Sequence, residues 1–281
     1  MCFANPYQPK IKNRIPIAIL KEQTYEIAFL MSAIGPFPEA QAYQACQLAT
    51  ALDLPLPGVT TSEDTLNHYV PVDGSYVDML SASVEAAEIN LKRSAETFRE
   101  ICAEKQVSQE WYGTHGFMRQ EWEKLSAYFD LAIAAAPFAA AELATTSCAA
   151  MFQLHKEHSI GNFDGRAVIA WDGSQPAARA LRAALPILGR FKEVEVLIVD
   201  PKSRTQPSDI GNYIAAHGVE ASVTTQSSGK EDAGAVILDE ARHADLLVMG
   251  AYGFSATMER WFGGVTESVK AECQTPVLFA H

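Results

Sequence analysis

The feature that most constrains this chain is the order of residues between Leu246 and Ala280. An apolar stretch, Leu246-Leu247-Val248-Met249, runs into Gly250-Ala251-Tyr252-Gly253. Nine residues later come Gly263-Gly264-Val265-Thr266, then a helical pattern over Glu267 to Cys273, and then a second apolar stretch, Val277 to Ala280. Two short apolar runs separated by a crossover long enough for a helix belong to a parallel sheet. Glycines just after a strand, with more glycines opening a helix, let backbone N–H groups approach and surround a phosphate. A helix starting near Gly264 would add its positive end to that site. A lone glycine pair carries little weight, and the strand–loop–helix–strand context makes this one more specific.

Upstream the same alternation continues. Val168 to Trp171 reads as a strand with Asp172-Gly173-Ser174 at its tip. Ser174 is placed to cap the following helix, and Pro176 suits the first turn. In that helix Ala177, Ala180, Leu181, Ala184, Leu185 and Leu188 recur at helical spacing, and Gly189 ends it. Val194–Val199 reads as a strand, Pro207–His217 as a helix stopped by Gly218, Ala221–Thr225 as a strand, and Ala233–His243 as a helix with Ala233, Val236, Ile237 and Ala241 inward.

This pattern resembles the universal stress protein family. Its nucleotide-binding members carry G-x2-G-x9-G followed by Ser or Thr on the loop after the fourth strand. Here the match is Gly250-x2-Gly253-x9-Gly263, with Gly264 in place of the Ser or Thr. The likeness covers residues 164–281, the first strand and its Asp172 tip included. It implies an adenine nucleotide at the carboxyl ends of the strands, which is also where open parallel sheets bind ligands. The implied site residues are Asp172 toward the ribose or adenine, Ile198 lining the base, and Gly250, Gly253, Gly263, Gly264, Val265 and Thr266 around the phosphates. Trp171 precedes the Asp and stands either to stack on adenine or to fill its space. The implied ligand is ATP, with or without Mg²⁺.

The amino-terminal half follows the same order more faintly. Glu26–Ala33 is strand-like, Pro38–Leu52 helical, Pro57–Thr60 placed where a second strand would end, Asp78–Lys105 a long helix, Val107–Tyr112 a strand, Gln120–Tyr128 a helix, and Phe129–Ala135 a strand. This is an internal repeat with a period of about 140 residues, visible in element order rather than identity. The site is missing from it: the fourth strand ends Ala134-Ala135-Ala136-Pro137-Phe138, and Met31-Ser32-Ala33 has no Asp. The expected fold is therefore α/β, with two tandem universal-stress-protein-like domains over residues 15–160 and 164–281. Each would be a mostly parallel five-stranded sheet flanked by helices, of the adenine nucleotide alpha hydrolase type. The terminal strand Val277–Ala280 is expected to pair with the segment around Phe152–His155, making an internal pseudo-dimer that leaves room for a further homodimer.

Composition narrows the function. A 281-residue chain with net charge −12 disfavours nucleic acid and anionic membranes as partners, because neutralising phosphates takes clustered Lys and Arg. The longest apolar run, Leu131–Ala141, is too short to span a bilayer, and Lys21-Glu22 interrupts Ile15–Leu20 as a leader, so cytoplasmic residence is expected. Cys2, Cys46, Cys102, Cys148 and Cys273 lie far apart with no metal-ligand spacing, as scattered reduced thiols do. His155 and His158 have no third ligand nearby in the sequence, so no metal site is expected. With no Walker lysine, no nucleophile elbow and no base–nucleophile pair, an enzyme ranks last and no catalytic residue is assigned. The expected function is an ATP-binding regulator in a stress response. The alternative is an interaction protein of the same fold that no longer binds nucleotide.

Overall fold

A computed structural model of the chain describes residues 25–32, 37–62, 76–115, 118–135, 140–154, 165–201, 207–229, 232–252 and 259–281. The amino-terminal half contributes β1 (Ile27–Ser32), α1 (Glu39–Leu52), β2 (Gly58–Ser62), α2 (Tyr76–Glu104), β3 (Trp111–His115), α3 (Met118–Leu125), β4 (Leu131–Ala134), α4 (Ala140–Ala144) and β5 (Ala150–Gln153). The carboxyl-terminal half contributes β6 (Arg166–Ala170), α5 (Gln175–Leu188), β7 (Glu193–Val199), α6 (Pro207–Ala216), β8 (Ser222–Gln226), α7 (Ala233–Ala241), β9 (Leu246–Gly250), α8 (Glu259–Glu272) and β10 (Val277–Ala280).

The strands form one ten-stranded sheet in the order β3-β2-β1-β4-β5-β10-β9-β6-β7-β8. Every pairing is parallel except the central one, where β10 runs antiparallel to β5 with Leu278 opposite Phe152. The registers on the two sides mirror each other. From Phe152 the row runs through Ile133, Phe29 and Gly58 to Trp111. From Leu278 it runs through Val248, Ile169 and Val196 to Val223. A pseudo-two-fold axis therefore passes through the β5–β10 pair. The terminal strand, expected opposite the Phe152–His155 segment, pairs with Met151–Gln153.

Helices cover both faces, so the central strands are apolar on both sides rather than alternating with polar residues. Leu246 and Val248 of β9 enter one buried cluster, while Leu247 and Met249 enter the other. Local signals set the helix ends. Ser174 Oγ accepts the Ala177 N–H at 3.2 Å, and Asp232 Oδ1 accepts that of Ala235 at 2.9 Å, each satisfying a free donor of a first turn. Gly218, at φ +78°, follows α6 in the left-handed region. Gly189 ends α5 without entering that region, at φ −63°.

Two boundaries differ from expectation. The third strand, expected over 107–112, begins only at Trp111. Gln106 adopts φ +57° and the Val107 N–H returns to Cys102 O, so residues 106–107 close α2 before extended chain can start. The last crossover helix, expected to open near Gly264, starts at Glu259 and runs straight through the glycine pair. Interior glycine costs about 1 kcal/mol relative to alanine, too little to stop a helix that packs the buried Thr266 and Val269 on the sheet. Among the described residues no helix is long and apolar enough to cross a membrane.

Candidate functional site

A pocket with about 80 Å³ of space inside it opens at the carboxyl ends of β6, β7 and β9, beneath α7 and α8. Its apolar wall is Leu197, Val199, Ile237 and Met249, and its polar groups are Asp172, Ser174 and Thr266. That lining suits the flat apolar part of a small ligand with a polar edge.

Of the expected residues, Asp172, Gly250, Val265 and Thr266 line this pocket together, and Trp171 joins them. Asp172 sits just beyond β6. Its Oδ1 accepts the Ser174 N–H at 2.9 Å, a turn stabilised further by Gly173 at φ +72°. The Trp171 N–H donates to Leu197 O at 2.9 Å, fixing the start of this tip against β7. Gly250 has a packing reason of its own. A Cβ there would lie 2.6 Å from Ala177 N and 2.7 Å from Pro176 Cβ, so only glycine lets the end of β9 meet the first turn of α5.

Ile198 is not part of the pocket. It is buried in the core cluster on the other face, with Val194 and Val196, while its neighbours Leu197 and Val199 point into the cleft. Side chains alternate faces along a strand, so an error of one residue changes the face completely. Met249, Ala233 and Ile237 also line the pocket without having been assigned to it, although Ala233 and Ile237 were expected inward on α7. The signal that would have found Leu197 and Val199 is the two-residue period of β7, counted from the exposed Glu193.

The phosphate loop differs most from expectation. Gly264, Val265 and Thr266 lie inside α8, where N–H groups bond to carbonyls four residues back instead of facing a ligand. Gly263 is also helical, and Gly253 lies outside the described residues, as do His155 and His158. The Thr266 hydroxyl accepts the Tyr252 N–H at 3.2 Å and so holds the chain just after β9, where Tyr252 adopts φ +49°. The Tyr252 hydroxyl donates to Glu267 at 2.8 Å and receives a hydrogen bond from Lys270 at 3.2 Å. Burial pushes the Tyr252 phenol up, with the hydrogen bond to Glu267 adding to it. Burial works against the Lys270 charge, but its hydrogen bonds to Glu142, Tyr252 and Glu267 outweigh that and hold the ammonium well above its ordinary range. Glu142 belongs to α4, so this network reaches across to the other half at 2.8 Å.

The family model for the universal stress proteins matches residues 211–281, which include β9, α8, β10 and the Gly250, Val265 and Thr266 side of the pocket. The chain carries a universal stress protein domain. The whole architecture is also similar to a universal stress protein from Archaeoglobus fulgidus, at 18% identity and TM-score 0.64, covering 90% of this chain and 97% of that one. It is similar as well to a Pseudomonas aeruginosa protein assigned to the same family, at 13% identity and TM-score 0.54, covering 92% and 93%. At these identities the two likenesses establish a shared universal stress protein fold across both halves. No curated protein matches the chain.

Proposed function

We propose that the pocket above β6, β7 and β9 binds one adenine nucleotide per chain, and that the protein is a cytoplasmic, non-enzymatic ATP-binding regulator in a stress response. The observation that carries this reading is the convergence of Asp172, Met249, Gly250, Val265 and Thr266 on one cleft at the strand tips of the universal stress protein fold. The base would lie against Leu197, Val199, Ile237 and Met249, and Trp171 would flank it. The free Asp172 oxygen would accept from a ribose hydroxyl. Phosphates, with or without Mg²⁺, would extend toward the glycines of α8 and Gly253. Occupancy would change the population of conformers that partners meet. In this reading residues 15–160 and 164–281 are two tandem domains held as an internal pseudo-dimer, with further homodimerisation open to the surface. The first domain binds no nucleotide.

A second reading has specific support. Gly264–Thr266 spend their N–H groups inside α8, one Asp172 oxygen is taken by Ser174, and Gly250 is required by α5 packing. Gly250 and Asp172 then have structural reasons to be present, as in an interaction protein that has lost its ligand. Calorimetry with ATP separates the two. Binding at one site, weakened by Gly253→Val, supports the regulator, while no heat at millimolar ATP from folded protein leaves the interaction protein. Turnover of Mg-ATP by the purified chain would overturn the non-enzymatic part.

A further inference from the structure

The fold brings together two cysteines that the sequence keeps 56 residues apart. Cys46 of α1 and Cys102 of α2 are both fully buried, and their sulfurs lie 3.6 Å from each other. They sit in the core beside Leu48, Ala49, Phe98 and Ile101, on the face of the amino-terminal half where α1 and α2 pack. A disulfide needs the sulfurs at about 2.05 Å, so each would move by about 0.8 Å, within reach of small side-chain rotations. At the solvent end of this contact Lys105 lies 5.3 Å over the ring of Tyr43, whose hydroxyl donates to Glu104 at 2.8 Å. The other described thiols are placed differently: Cys148 is exposed, and Cys273 donates to Thr275 O at 3.5 Å.

We propose that Cys46 and Cys102 are a redox-active dithiol that a small hydroperoxide converts to a disulfide locking α1 to α2. The proposal goes beyond nucleotide binding and does not depend on it. Burial selects the oxidant, because a molecule little larger than water can reach the pair whereas a bulky disulfide cannot. Either thiol can donate to the other, and the accepting sulfur, Cys102 where Cys46 donates, is the one that attacks as thiolate. Its thiolate attacks one peroxide oxygen and the O–O bond breaks, giving Cys102 sulfenic acid and hydroxide. Cys46 sulfur then attacks the sulfenic sulfur, the S–O bond breaks and a second hydroxide leaves. The two thiol protons convert both hydroxides to water, so two thiols and one hydrogen peroxide give one disulfide and two waters. The staple would lie wholly in the half that lacks the nucleotide motif, and by closing a long loop it would raise thermal stability.

The test uses the full chain. Folded protein is treated with graded hydrogen peroxide, the excess peroxide is removed with catalase, and the chain is then unfolded in an alkylating agent, digested without reduction and analysed by mass spectrometry. The expected result is a reducible cross-link between the Cys46 and Cys102 peptides, formed in native protein and accompanied by a raised melting temperature. Cys46→Ala or Cys102→Ala should instead leave the remaining cysteine unlinked, oxidised as far as a sulfenic acid that a dimedone probe traps when the chain is unfolded in its presence. If either variant fails to fold, the wild-type map alone decides. Cys46 and Cys102 both remaining alkylatable at peroxide levels that oxidise Cys148 would overturn the proposal. A link that forms only in denaturant would overturn it too.

Discussion

The two halves share a ladder but differ in the residues at their strand tips. The residues flanking Phe29 in β1 and Ile169 in β6 occupy the same places in mirrored registers, and both rows end at the Phe152–Leu278 pair. By that register Met249 and Gly250 correspond to Ala134 and Ala135, and Ile198 to Thr60. The carboxyl-terminal half places α5 against Gly250, closer than any Cβ allows, and opens a cleft on the other face. The amino-terminal half has a fully buried alanine at the corresponding position. Its β2 position carries the buried Thr60, whose hydroxyl has no partner among the described residues, and α1 carries the buried Gln41, whose amide atoms have none there either. Unpaired buried polar atoms cost about 1–3 kcal/mol each. The comparison teaches that apolar pattern and register make the sheet, whereas a few residues at the strand tips make the pocket. These two sets of residues can change independently.

The largest expected effect tests whether the halves are one cooperative unit. Phe152 is fully buried and faces Leu278 across the pseudo-axis. Phe152→Ala should cost about 3–5 kcal/mol. Single-tryptophan variants that keep only Trp122 in one half or only Trp171 in the other should report the same midpoint in denaturant. Two separated transitions would break the comparison, by showing that each half folds independently. Gly250→Val comes next. The branched side chain meets backbone of α5, so a loss of about 1–3 kcal/mol is expected in the same titration. An unchanged midpoint would return Gly250 to a purely ligand-facing role.

Most of the architecture is legible in the sequence because most of it is governed by local pattern. Ser174, Pro176, Asp232 and Gly218 mark helix ends whose hydrogen bonds or dihedral angles are present as the residue types require. The inner strands of the carboxyl-terminal half, β6, β9 and β10, are apolar runs bounded by turns. What is not legible depends on distance or on a count of one. Ile198 and Leu197 are equally apolar, and only the face of β7, fixed by packing, separates them. The start of α8 is not where the glycines point, because glycine preference is about 1 kcal/mol and tertiary packing overrides it. The α2 crossover hides the start of β3 behind a left-handed Gln106 that nothing in residue type announces. The Cys46–Cys102 contact joins helices that are distant in the chain, so no spacing rule could reveal it.

Acid should separate the halves further, by a smaller amount. In the carboxyl-terminal half Arg166 bonds Glu240 at 2.7 Å, and this hydrogen bond, with a second from Gln226, holds the Glu240 carboxyl below its ordinary range. A depressed folded value means the stabilisation is complete above the unfolded pKa, about 4.3, and is lost as pH falls through the folded value. In the amino-terminal half burial and then Asp130 raise the Glu26 carboxyl. Its contribution has the opposite sign: it is fully present below the unfolded pKa and lost as pH rises through the folded one. Glu240→Gln should therefore lower stability by about 1 kcal/mol near neutrality and flatten the acid limb of a midpoint-against-pH curve. Glu26→Gln should leave that limb in place. Equal limbs in the two variants would mean the asymmetry of charge does not matter.

The contact between α4 and α8 is weaker still. Glu142 is exposed and Lys270 half-buried, so a double-mutant cycle of Glu142→Gln with Lys270→Met should give a coupling of about 0.5–1 kcal/mol. It should be read by chemical denaturation, and zero coupling would remove this network as a link between the halves.

The smallest effect on stability carries the sharpest question about the site. A Cβ on Gly264 would meet nothing within 4 Å, so Gly264→Ser should be accommodated without any shift. Inside α8 the change removes an interior glycine and should stabilise the chain by up to about 0.5 kcal/mol. For nucleotide the consequences oppose each other. The new hydroxyl can bond a phosphate, an interaction with a charged group worth about 1.5–3 kcal/mol. A firmer helix, however, makes it harder to release the N–H groups of 264–266 for the same phosphate. The hydroxyl outweighs the firmer helix, so ATP affinity by calorimetry should rise several-fold, with the melting temperature slightly up. A stabilised variant whose affinity is unchanged or weaker would show that no phosphate reaches Gly264. The glycine pair would then distinguish the two halves by sequence without distinguishing them by ligand.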